Sequence, residues 1–137
     1  MFFKKKENEI ENSYLVKVCA LLIHAAKIDE NFTAHEEEII KKTLLELGSS
    51  QKDLSKTIKE AKVIEENSNQ ILDFTKEVKH LPVQDKIKIV EALWSIIYSN
   101  KDADMYETNL MRRLAGLLYI DNKTMGDIKN KIKKQIL

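Results

Sequence analysis

A chain of 137 residues has the length of one domain, and three glycines with one proline are too few turn formers for a β-sandwich or barrel. Its 23 basic and 22 acidic side chains leave a net charge of +1, without the basic excess of a dedicated nucleic-acid binder. The single cysteine, Cys19, excludes an internal disulfide.

In chain order, Phe2, Phe3 and the lysines Lys4, Lys5 and Lys6 precede a polar segment, which is not the layout of a signal peptide. They read as a solvated terminus or as a weak contact with a membrane surface or partner. In the first predicted helix, Ile10, Tyr14, Val18, Leu21, Leu22, Ala25 and Ile28 recur at helical spacing. Cys19 lies in its apolar run and reads as a small buried hydrophobe, with no base nearby to make it a nucleophile. His24 lies on or beside the same face and reads as half-buried. The longest uncharged stretches, Val18–Ala26 and Ala92–Asn100, are too short to span a bilayer, so a cytoplasmic protein is expected.

A second helix carries Ile39, Ile40, Leu44 and Leu47 and ends at Gly48. Ser50 is placed to cap a third, with Leu54, Ile58 and Ala61 inward. Lys56, Lys59 and Lys62 form a solvated basic strip on it. Ala61 to Gln70 is the softest stretch and reads as a linker. A fourth helix starts near Ser68 with Ile71, Phe74 and Val78. Pro82 suits the first turn of a fifth, where Ile87, Val90, Leu93, Trp94, Ile96 and Ile97 leave few polar sides; such a helix is central. The sixth carries Leu110, Met111, Leu114, Leu117 and Leu118, and the seventh Met125, Ile128, Ile132 and Ile136. The expectation is an all-α fold of about seven helices in one domain over 1–137. Its halves are about 10–64 and 82–136, joined by 65–81.

The two halves repeat faintly at an offset of 71 positions: Leu22 meets Leu93, Glu36 meets Glu107, and Leu47 meets Leu118. Each half places a polar loop between an apolar helix and the next one. The first loop runs Asp29-Glu30-Asn31-Phe32-Thr33-Ala34-His35-Glu36, the second Asn100-Lys101-Asp102-Ala103-Asp104-Met105-Tyr106-Glu107. Oxygen side chains at positions one, three and five, then a glutamate at eight, suit a hard cation such as Ca²⁺ or Mg²⁺. The ligands would be Asp29, Asn31, Glu36, Asn100, Asp102, Asp104 and Glu107. The helix-loop-helix calcium loop is excluded, because position six is Ala34 or Met105 and position twelve Ile40 or Met111. Thr33 with Glu36, and Asp104 with Glu107, also read as capping boxes needing no ion. Packed side by side, the loops would crowd five carboxylates, which is costly without a cation.

Ala26-Lys27-Ile28-Asp29 through Glu36, and Ala92-Leu93-Trp94 through Glu107 to Arg112-Arg113-Leu114-Ala115, resemble the twofold Ala-Asp-Gly-x-Ile-x-x-x-Glu plan of the TerB-like family. That family includes tellurite-resistance protein B and a domain of the DjlA co-chaperone. The chain resembles it over nearly its whole length. It departs where the family glycine is Glu30 or Lys101 and the second aspartate is Asn100, which keeps a carbonyl ligand but removes a charge. The resemblance implies a helical domain of two related halves, a stress or tellurite setting, divalent-metal binding and service as an interaction module.

No catalytic motif competes. His24, His35 and His80 are too scattered for zinc, although His35 adjoins the first loop. No Gly-rich phosphate loop or nucleophile elbow is present. Arg112 and Arg113 have no aromatic platform for bases. Two readings remain: a non-catalytic stress-associated module that binds other proteins through a groove between its halves, and a divalent-cation-binding domain.

Overall fold

Helical periodicity becomes seven helices among the described residues: α1 (Phe2–Ala26), α2 (Ala34–Glu46), α3 (Gln51–Asn67), α4 (Leu72–Val78), α5 (Val83–Ser99), α6 (Met105–Leu117) and α7 (Asn122–Ile136). The computed structural model describes residues 2–27, 33–68, 71–99 and 105–136, with side chains for 14–27, 33–68, 71–99 and 109–135. No strand occurs among the described residues, and none of their helices is long and apolar enough to cross a membrane. The backbone of Phe2 to Lys6 belongs to α1, while their side chains lie outside the description.

The core forms around α1 and α5, the two most apolar helices. Leu15, Val18, Cys19, Leu21, Leu22 and Ile23 of α1 and Ile89, Val90, Leu93, Ile96 and Ile97 of α5 belong to one buried cluster. Four of the other helices cover this pair, and α6 packs on α7. α3 and α4 lie on α1, α2 on α1 and α5, and α7 on α5. Trp94 is core, as its spacing predicts, stacked on Tyr98 with the Lys129 ammonium 5.3 Å from its ring centre. Burial pushes the Cys19 thiol up to about 12, which leaves almost no thiolate at neutral pH. Folded protein is therefore expected to resist a thiol reagent at pH 8 and to react only after denaturant is added. Rapid labelling of the native chain would contradict this burial.

The offset of 71 carries α2 onto α6 residue for residue, and the start of α3 onto that of α7. The turns after α2 and α6 share one hydrogen-bond pattern. Ser49 N–H donates to Leu44 O at 2.9 Å, and Ile120 N–H to Ala115 O at 2.9 Å. Both are left-handed helix ends, with Gly48 at φ 111° and Tyr119 at φ 58°. The next helix is capped alike in each half, Ser50 accepting from Asp53 N–H and Asp121 from Thr124 N–H. A side chain of the first helix then seals the turn. Tyr14 Oη donates to Leu47 O at 2.9 Å, and Lys86 Nζ to Leu118 O at 3.1 Å.

Three sequence expectations shift. The expected linker over 61–70 is helix as far as Asn67, because Glu65 is buried and paired with Lys27 at 2.9 Å. The fourth helix begins at Leu72 rather than near Ser68. Pro82 precedes α5 instead of entering it; its carbonyl accepts from the N–H groups of Asp85 and Lys86.

Candidate metal site at the acidic loops

Tertiary contacts fix which helix ends meet. Tyr14, midway along α1, touches Leu47 at the end of α2, and Lys88, early in α5, reaches Glu46 O at 3.4 Å. Lys86, also early in α5, reaches the turn after α6. α1 and α2 therefore run in opposite senses, as do α5 and α6, while α2 packs along α5. The C-terminal ends of α1 and α5 and the N-terminal ends of α2 and α6 share one end of the bundle. Both acidic loops depart from that end.

Among the expected ligands, Glu36 is the one whose side chain is described. Asp29, Asn31, Asn100, Asp102 and Asp104 lie outside the described residues. Glu107 lies in α6, but its side chain is not described. The expected Asp104–Glu107 capping box lies outside the description for the same reason. Among the described residues no three His, Cys, Asp or Glu side chains converge.

The first capping box forms as its sequence predicts. Thr33 has extended backbone and accepts from Glu36 N–H at 3.1 Å, while Glu36 Oε1 accepts from Thr33 N–H at 3.0 Å. The Thr33 hydroxyl donates to the same oxygen at 3.0 Å. Thr33→Ala removes both hydroxyl contacts and is expected to lower stability by about 1 kcal/mol. Urea titration checks this, and an unchanged midpoint would contradict the cap.

Capping uses only half of the carboxylate. Glu36 is fully buried, and its Oε2 has no hydrogen-bond partner among the described residues. A helix cap alone needs no such burial; the equivalent acid of α3, Asp53, is exposed. Removing a carboxylate oxygen from water without a donor or counter-charge costs several kcal/mol. A hard cation would supply that counter-charge, so this side chain fits the donor set that the loops provide in sequence.

His35, His24 and Lys27 flank the first loop in sequence. His35 is exposed on the first turn of α2. His24 is half-buried as expected, with Nδ1 3.4 Å from Glu65 Oε1 and its ring tilted against Phe74. Lys27 holds the other oxygen of Glu65, so a carboxylate tether fastens the end of α1 to α3 just before the first loop. Sequence reading passed over Glu65, although it continues the inward spacing of Leu54, Ile58 and Ala61.

The family model described as Tellurite resistance protein TerB matches residues 15–130, from the middle of α1 into α7. No curated protein and no solved structure matches the chain. The match covers both halves and both acidic loops, and the chain belongs to the TerB family.

Proposed function

We propose that this TerB-family domain is a non-catalytic cytoplasmic binding module that holds a divalent cation, Ca²⁺ or Mg²⁺, between its two inter-helix loops. The observation that carries this reading is Glu36, fully buried with Oε2 unpartnered among the described residues, at the end of the bundle where both loops depart. Asp29 and Asn31 from one loop and Asn100, Asp102, Asp104 and Glu107 from the other would complete an oxygen shell of the kind hard cations take. The cation would bind the halves together and let the ion level set the shape of that end. Calorimetric titration of chelator-stripped protein tests this. Saturable heat with Ca²⁺ or Mg²⁺, lost in the Asp102→Asn, Glu107→Gln double variant, is expected. Absence of heat with both ions would overturn the reading.

A protein partner in a stress setting is the second reading. It is supported by a cleft of about 460 Å³ bounded by α1, α3 and α4, rather than by the groove between halves that the repeat suggests. Val63 stands exposed on its rim, with Lys17, Asp73 and Lys76 around it. Wild-type and Val63→Asp baits, compared on the same extract, test this reading. A prey retained equally by both would contradict it.

A further inference from the structure

At the opposite end of the bundle, a cavity of about 240 Å³ opens between the start of α5 and the turn joining α6 to α7. Its walls are apolar: Val83 and Ile87 from α5, and Ile120 from the turn. Lys86 lies among them, only 7% exposed. Its ammonium has three donors and, among the described residues, one hydrogen-bond acceptor, Leu118 O. No acidic side chain pairs with it among the described residues. Asp121 also lines the cavity, but its carboxylate caps α7; hydrogen bonding to Thr124 holds it below the usual carboxylate range. A buried cation without a counter-ion is costly, and a lysine in the lining of a cavity suits an anion.

The repeat supplies a second observation. Gly48 and Tyr119 occupy the same left-handed position in the two halves. Glycine adopts that conformation freely, whereas a bulky aromatic residue is strained there. Tyr119 carries this strain with its side chain 66% exposed, so burial of the ring does not explain it. The ring stands at the cavity mouth, with the Lys79 and Lys86 ammoniums 5.7 and 5.9 Å from its centre. Val83, 67% exposed, forms another part of the same rim.

We infer that this cavity is a binding site for a carboxylate with a short apolar body. The Lys86 ammonium takes the carboxylate, the walls of Val83, Ile87 and Ile120 take the body, and the Tyr119 ring closes over it. A free short-chain acid and the C-terminal residue of a peptide present the same chemistry, and the volume suits either.

Methyl and amide NMR titration with isovalerate tests the site, with 3-methylbutanol as the probe that keeps the body and lacks the charge. Saturable shifts at Val83, Ile87, Ile120 and Thr124 are expected with the acid, at an affinity at least about tenfold above the alcohol. A peptide ending in a free leucine carboxylate, run beside its amide, identifies the source. Tighter binding of the free-carboxylate peptide than of isovalerate assigns the site to protein C-termini, and the reverse order assigns it to small acids. Lys86→Met is expected to weaken the acid at least about tenfold. Should that variant not fold, Tyr119→Gly carries the test: it relieves the backbone strain, so the melting temperature rises while acid binding falls. Unsaturable shifts, equal binding of acid and alcohol, or full binding by Tyr119→Gly would overturn the inference.

Discussion

Leu93→Ala is expected to lower the unfolding free energy by about 3 kcal/mol, and Leu22→Ala by about as much. The two leucines occupy the same place in the repeat, on α5 and α1, and both are fully sealed from solvent. Truncation removes buried methyl groups from the helices on which α2, α3, α4 and α7 pack, so collapse around the void is limited. Both positions belong to one continuous core. Each variant should therefore unfold in a single transition, with its midpoint shifted and its denaturant slope unchanged. Urea titration followed by circular dichroism checks this. A loss under about 1 kcal/mol, or separate melting of the two halves, would contradict a shared core.

Divalent cation at about a hundred times its dissociation constant is expected to stabilise the protein by about 2.7 kcal/mol. The effect should vanish in Glu36→Gln. Glutamine keeps an oxygen to accept from Thr33, so the capping box survives, but it cannot neutralise a cation. It also removes a buried charge, so without the ion the variant is expected to lose no stability. Thermal unfolding of both proteins, with chelator and with Ca²⁺ or Mg²⁺, separates the two roles. Equal stabilisation of wild type and Glu36→Gln would detach Glu36 from any ion.

Much of the fold was legible because its signals are local. Apolar spacing marked α1, α2, α5, α6 and α7. Thr33 with Glu36, Ser50 and Gly48 marked boundaries, since caps and left-handed ends are encoded within a few residues. Less legible were positions whose character is set across the chain. Glu65 resembles a linker glutamate until Lys27 and His24, about forty residues away, are placed beside it. Lys86 resembles a surface lysine, and the carbonyl that accepts from it lies at the left-handed turn after α6, 32 residues away. Tyr119 becomes conspicuous once the repeat aligns it with Gly48. For the acidic loops the sequence supplies the donor set. The structure adds the buried, half-used carboxylate of Glu36 and the common end of the bundle, neither of which is visible in spacing alone.

Backbone amide NMR of chelator-stripped protein, titrated with Ca²⁺ and then Mg²⁺, tests the two-loop cation site most directly. The expected result is saturable shifts at residues 29–36 and 100–107 that move together at one ion concentration, because both loops serve the same site. Spectra that stay flat into the millimolar range, or shifts confined to one loop, would contradict it.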